Sequence, residues 1–297
     1  MKLTHLGEDK IIEFFKKNNR CSKKVLVGIG DDAAVVRIDK NVLLSYSCDM
    51  FTEGTHFLRN DDSFLVGAKA ISACISDLSA MGSNALFASA SLGVPSDMDF
   101  TYIKRLYAGL TKTAKRFKVD LVTGDTVRAK KIVLDVSIIG RIFKRPILRS
   151  GARKGDYIFV SGSLGKAFYN RGFSVHSRMS EADYLTRNYN IHAMIDVSDG
   201  LYRDLSRICK QSNKGAILSK ENIPLYKKSS VDHALFKGED FELLFCVSSS
   251  DAHKLIRQNK YRFSCIGRVV DASYGVSVVD HNFDIRILNQ DLSFKHF

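Results

Sequence analysis

This sequence has no C-x-x-C pair, no apolar run near the roughly 20 residues that a membrane span needs, and no long basic block. Each absence removes a class of protein. The six cysteines, Cys21, Cys48, Cys74, Cys209, Cys246 and Cys265, are scattered. Cys74, Cys209 and Cys246 stand inside apolar runs, so they read as reduced core cysteines rather than zinc ligands or a disulfide framework. Residues 1–17 mix charges among Ile11, Ile12, Phe14 and Phe15 and lack the apolar core and small-residue cleavage site of a signal peptide. The expectation is a soluble cytoplasmic chain with no membrane partner. The net charge of +13 comes from lysines and arginines dispersed in pairs such as Lys16-Lys17 and Lys130-Lys131. A solvated basic surface is therefore expected, not a nucleic-acid interface.

The common nucleotide loops are missing as well. At Gly165-Lys166 the Walker pattern fails, because Val160 stands where its first glycine belongs and Ala167 replaces the hydroxyl residue. Gly28-Ile29-Gly30-Asp31-Asp32-Ala33 carries the letters of a dinucleotide fingerprint. That motif needs a helix next, whereas Val35-Val36-Arg37-Ile38 reads as a strand. Kinase-type H-R-D and D-F-G signals are absent. Any ATP bound here is held without these loops.

What is present is a chain of 297 residues, 45% of them apolar, enough for two domains or one large one. Short apolar runs at 25–27, 34–36 and 42–47 predict strands. Ile71, Cys74, Ile75 and Leu78 fall at helical spacing and predict a helix over 64–81 stopped by Gly82; Ile103, Leu106, Tyr107, Leu110 and Ala114 predict another over 100–117. Strands are expected at 119–123 and 132–142. After a break near Arg145-Pro146, a second section starts at Tyr157-Ile158-Phe159-Val160. It continues with a strand ending at Asp196, a helix carrying Leu201, Leu205, Ile208 and Cys209, a strand over 241–247, a helix near 251–258 and a strand at 263–270. The fold class is α+β, or mixed α/β, in two domains: 1–145 and an α/β domain over 146–297.

A set of aspartates at or near the ends of apolar elements is the most informative feature. It comprises Asp31-Asp32, Asp49 after the strand ending at Ser47, Asp77 at the border of a helix's apolar face, Asp125, Asp196 and Asp199. Any one alone is a turn residue. Together they would repel one another unless cations neutralised them, and magnesium, which shares carboxylates with substrate phosphates, is the natural ion.

The ordered motifs are Gly28 to Ala33; Ser47-Cys48-Asp49 with Glu53-Gly54-Thr55-His56-Phe57; Lys69-Ala70 to Ser76-Asp77-Leu78-Ser79-Ala80-Met81-Gly82; Gly124-Asp125-Thr126; Arg149-Ser150-Gly151-Ala152; Ile195-Asp196-Val197-Ser198-Asp199-Gly200-Leu201; and Gly238-Glu239-Asp240-Phe241-Glu242-Leu243. In order and wording they resemble the thiamine-monophosphate kinase family, over roughly residues 25–270. The resemblance implies an enzyme that phosphorylates thiamine monophosphate to thiamine diphosphate with ATP and several Mg²⁺ ions. It implies a homodimer joined through N-terminal sheets, each a half-barrel. The metal ligands it implies are Asp32, Ser47, Cys48 through its carbonyl, Asp49, Asp77, Asp125, Asp196 and Asp199, of which Asp32, Asp77, Asp125 and Asp199 carry catalysis. The resemblance further implies that Gly124, Asp125, Arg149 and Ser198 meet ATP and that His56, Glu239 and Phe294 face the thiamine phosphate. This chain departs from the family pattern at Cys48, in place of threonine, and at Thr123 and Lys237, in place of glycines. It also has a shortened stretch between Gly165 and Asp196 that lacks a Pro-x-Pro-Arg segment. Other members of the same superfamily remain alternatives, although Cys21-Ser22-Lys23-Lys24 lacks the Gly-x-Lys context that selenophosphate synthetase needs.

Overall fold

The structure, a computed structural model, describes residues 7–170, 172–173, 176–227 and 229–288. The first half holds α1 (Gly7–Asn18), β1 (Val25–Val27), β2 (Ala34–Asp39), β3 (Val42–Thr52), α2 (Ser63–Ala80), β4 (Asn84–Val94), α3 (Phe100–Arg116), β5 (Asp120–Thr123), β6 (Thr126–Arg128) and β7 (Val133–Ile142). The second half holds β8 (Tyr157–Ser161), α4 (Ala167–Asn170), α5 (Met179–Asn188), β9 (Ile191–Asp196), α6 (Leu201–Ser212) and β10 (Gly215–Ser219). It ends with α7 (Val231–Phe236), β11 (Leu243–Val247), α8 (Ser249–Arg257), β12 (Phe263–Val270), β13 (Val276–Val279) and β14 (Ile285–Ile287). Each half builds one seven-stranded sheet. The first runs β1-β2-β3-β7-β4-β5 with β6 also on β4, and the second runs β14-β13-β10-β12-β8-β11-β9. The fold is mixed α/β, as the alternation of element types implies.

Helix α2 organises the molecule. Asp62 caps it by accepting from Phe64 N at 2.9 Å, a contact of about 1 kcal/mol. Ile71, Ile75 and Leu78 are wholly buried, each contributing roughly 2 kcal/mol by leaving water. The helix is apolar on nearly every side; by length and composition it passes for a membrane span, yet 78% of it is buried inside the fold. It crosses α3 at very short range. A Cβ on Gly67 would lie 2.1 Å from Leu106 O, and one on Gly109 would lie 1.9 Å from Phe64 O. From the opposite side α2 meets the second half, where Ser76 Oγ donates to Asp196 Oδ2 at 2.7 Å.

Strand β3 differs from its sequence-based bounds. It continues to Thr52, paired with β7 from Leu43↔Ile142 through Thr52↔Val133. Asp49 therefore lies within a strand, not after one. Its edge toward β2 is paired only as far as Tyr46, so the backbone from Ser47 onward is open on that side. Strand alternation turns Ser47 and Asp49 toward α2 and Cys48 to the other face. On that other face Tyr46, Met50, Ile139 and Phe87 are exposed, with Tyr46 opposite Ile139 and Ile139 opposite Phe87. Among the described residues no helix covers this apolar row.

Candidate active site

A cleft of about 1170 Å³ lies where the halves meet. The first half lines it with Gly28 to Asp32, Ser47, Cys48, Asp49, His56 and Asp77; the second half supplies Arg149, Ser198, Asp199, Arg207 and Glu239. Helix α1 closes one side with Glu8, Ile12 and Lys16. At its base Asp32, Asp77 and Asp196 bring carboxylate oxygens within 4.8 Å of one another. These three come from a loop, α2 and the end of β9. Only the docking of both sheets on α2 assembles them.

Partners in this group are few. Arg149 forks onto Asp32 Oδ1, with Nη2 at 2.6 Å and Nε at 3.2 Å. Asp32 Oδ2 is buried and has no hydrogen-bond partner. Ser47 Oγ donates to Asp77 Oδ2 at 2.5 Å, and the Cys74 thiol donates to Asp49 Oδ2 at 3.4 Å. Burial, then the charges of Asp49, Asp196 and Asp32, raises the pKa of Asp77 well above the usual carboxylate value. Burial and Asp32 act in the same direction on Asp196, and burial with Asp32 moves Asp31 up to about 6. A buried orphan oxygen among carboxylates that resist ionising together is a donor set suited to a hard divalent cation.

The second half fixes its residues through backbone and helix. The turn after β9 is clamped to the loop before β11: Glu239 N donates to Ser198 O at 2.7 Å and Phe241 N donates to Val197 O at 2.8 Å. Asp199 receives Arg207 Nη2 at 2.6 Å and Arg203 Nη1 at 3.6 Å. Asp204 accepts from the Asp199 backbone N at 2.9 Å and from Arg207 at 2.7 Å. Arg207 does not stand out in the sequence. Its signal is the Asp204-x-x-Arg207 spacing, which puts both on one helix face. His56 Nδ1 accepts from Thr52 N at 3.1 Å, and its ring stands edge-on to Phe51 at 5.3 Å. The proton of a neutral ring then sits on Nε2.

Most of the sequence-derived set gathers here: Asp32, Ser47, Cys48, Asp49, His56, Asp77, Arg149, Ser198, Asp199 and Glu239 line the cleft, and Asp196 joins the cluster below it. The Arg149 guanidinium, expected on ATP phosphates, is engaged by Asp32. The Cys48 side chain faces away from Asp77, toward Asp135 at 3.8 Å, in keeping with a role expected of its carbonyl and not of its thiol. Gly124 and Asp125 lie elsewhere, lining a cavity of about 450 Å³ with Phe100, Tyr107 and Leu121. Cys48 aligns with Ser137, Ser137 with Ser89 and Ser89 with Thr123, so three strand spacings, roughly 14 Å, separate the two places. Phe294 falls outside the described residues.

Comparison with known proteins finds relatives over most of the chain. Residues 30–142 match the AIR synthase related protein N-terminal domain, and residues 170–280 match the AIR synthase related protein C-terminal domain. The thiamine-monophosphate kinase of Buchnera aphidicola subsp. Schizaphis graminum is 31% identical over 320 residues, covering 97% of each chain. That of Aquifex aeolicus is 33% identical over 275 residues, covering 82% of this chain and 87% of the other. The structure of AaThiL complexed with AMPPCP and TMP superposes with a TM-score of 0.85 at 30% identity, covering 100% of this chain and 99% of that one. With both family domains matched and the kinase sequences aligned over nearly its whole length, the chain belongs to the thiamine-monophosphate kinase family.

Proposed function

We propose that this chain transfers the γ-phosphoryl group of ATP to the phosphate of thiamine monophosphate, giving ADP and thiamine diphosphate. The observation that carries the reading is the convergence of Asp32, Asp77 and Asp196, with its orphan oxygen, beneath a cleft that both halves line. Asp32, Ser47, Cys48 through its carbonyl, Asp49, Asp77, Asp196 and Asp199 would hold magnesium, which when bound would supply charge neutralisation and a template for bringing two phosphates together. The acceptor phosphate is already ionised near neutral pH, so no strong base is required. The chain's own task is positioning and charge balance. Arg149 presents its fork beside Asp32, Ser198 borders the nucleotide, and His56 and Glu239 border the thiamine phosphate. Glu239 is a suitable partner for the thiazolium cation.

The adenine is assigned to the cavity beside Gly124 and Asp125. Its aromatic and aliphatic walls suit a flat base. The N-terminal domain, 1–145, dimerises through the uncovered row of Tyr46, Met50, Ile139 and Phe87, and the C-terminal domain, 146–297, follows it. The Ser47–Asp49 backbone edge and the Gly124–Asp125 turn lie toward opposite edges of one sheet. A second copy packed on this face would bring its Gly124 and Asp125 toward the first copy's aspartates. The enzyme is taken to act in the cytoplasm.

The test is an ADP-release assay with ATP, Mg²⁺ and thiamine monophosphate, with the product identified by mass. Thiamine diphosphate formed only with Mg²⁺ is the expected result; a folded protein that binds ATP without making it refutes the reading. The shared site has its own test. Asp77→Asn and Asp125→Asn chains, each inactive alone, should recover activity when unfolded and refolded together, because one site of the mixed dimer is then intact. No recovery in a verified mixed dimer places each site within one chain.

A further inference from the structure

Lys69 is a lysine in the middle of the apolar helix α2, and its side chain is 2% exposed. A buried ammonium is costly unless its partners are close. Here Nζ lies 2.5 Å from Glu239 Oε1 and donates to the backbone carbonyl of His56 at 3.1 Å. The Phe173 ring lies 5.4 Å away. One side chain thus touches both described residues that are assigned to the acceptor, one from each half of the molecule. Lys69 itself does not line the cleft.

The pair is lopsided in a way that a purely structural ion pair need not be. Lys69 is sealed, whereas the Glu239 side chain remains 34% exposed and borders the cleft. Gly172 passes directly over them: a Cβ there would sit 2.4 Å from Glu239 Oε2 and 3.0 Å from Lys69 Nζ. Glu239 also has φ +69, and Phe241 has φ +50. Non-glycine residues avoid this left-handed region unless surrounding contacts hold them there. Asp240 pins the loop from one side by accepting from the N–H groups of Gly165 and Lys166 at 2.5 and 2.8 Å. Lys69 pins it from the other. Without the ammonium, a carboxylate that is one-third exposed has water on one side and no cation to direct it.

We propose that Lys69 is a positioning residue for the acceptor substrate: it aims the Glu239 carboxylate and fixes the His56 turn, without touching the thiamine phosphate. The inference rests on the acceptor roles given above to Glu239 and His56. It makes Lys69 selective in effect, since the nucleotide and the aspartate cluster are held by other residues.

The test is steady-state kinetics on Lys69→Met, Glu239→Gln and the double variant, which buries no unpaired charge. Lys69→Met is expected to raise KM for thiamine monophosphate about tenfold or more, the scale of a lost contact to a charged group, while KM for ATP stays within about twofold. In the Glu239→Gln background the same change should add less than about a further twofold. If Lys69→Met alone does not fold, comparing the double variant with Glu239→Gln still decides. An equal rise in both KM values, or a further tenfold rise in the double variant, overturns the positioning role. A wild-type enzyme that turns over while Lys69→Met matches it sinks this inference alone. A wild-type enzyme that neither binds nor phosphorylates thiamine monophosphate sinks the functional reading, and the inference with it.

Discussion

Two groups of buried carboxylates in this protein are built in opposite ways. Glu242 is wholly buried and fully matched: Ser161 Oγ and Arg178 Nε donate to Oε2 at 2.5 and 2.7 Å, and Arg178 Nη2 donates to Oε1 at 2.7 Å, joined there by Lys166. Asp32, Asp77 and Asp196 place three carboxylates within 4.8 Å, with one arginine fork among them and one oxygen unpartnered. Arg178 also meets Glu181 at 2.7 Å, so the first arrangement sets two carboxylates against two cations and is complete. The second sets three carboxylates against one guanidinium, an imbalance that suits the divalent cation proposed above. Burial alone does not mark a functional acid; an unmet need for positive charge does.

The comparison predicts opposite responses to removing a charge. Asp77→Asn should lower turnover by about 10³-fold or more, since phosphoryl transfer depends chiefly on stabilising the charge of the reacting phosphates. Its thermal stability should hold or rise, because one repulsive charge is gone. Product formation by mass and a melting curve on the same preparation check both halves; retained turnover would remove the distinction. Glu242→Gln should do the reverse. It strands Lys166, leaves Arg178 with Glu181 alone, and should lower the unfolding free energy by about 3 kcal/mol. The protein that remains folded should keep kcat within a few-fold. Urea unfolding and active-site-normalised rates separate these. A stable Glu242→Gln protein with lost turnover would mean that this group also serves the reaction.

How much of this is readable from residues alone follows from the same contrast. The aspartates are legible as a set, because so many carboxylates together resist the turn explanation that fits any one of them, and α2 and α3 are legible from period. Asp49 is misplaced at a strand end because Cys48-Asp49-Met50-Phe51-Thr52 shows no strong strand preference of its own; ten consecutive pairs with β7 hold it extended. Strand β4, Asn84–Val94, is rich in alanine and serine and becomes a strand through β7, β5 and β6. Gly124 and Asp125 are recognisable as a motif, but motif order carries no information about which edge of a sheet a turn occupies. Arg149 lines the cleft, but its partner there, Asp32, is not foreseen from the sequence. Lys69 is visible as the start of a motif, but its purpose is not, because its partner, Glu239, lies 170 positions further along the chain.

Asp240 stands between the two extremes and offers the finest test. Like Glu242 it is buried, but its bonded partners are backbone N–H groups: Gly165 at 2.5 Å, Lys166 at 2.8 Å and Ala167 at 3.3 Å. Burial outweighs those donors and moves its pKa up to about 6. A carboxyl raised in the folded state favours folding most when protonated. Its contribution is full below the unfolded-state pKa and is lost as pH rises through about 6. Asp240→Asn removes that titration and keeps an oxygen to accept from the turn. Stability of the wild type relative to this variant should therefore fall by roughly 2 kcal/mol as pH is raised from about 4 to about 7. Denaturant unfolding of both proteins across that range measures the difference. A flat difference would mean that three N–H donors suffice without a cation. The orphan oxygen on Asp32 would then be the sign that separates the cleft carboxylates from Asp240 and Glu242.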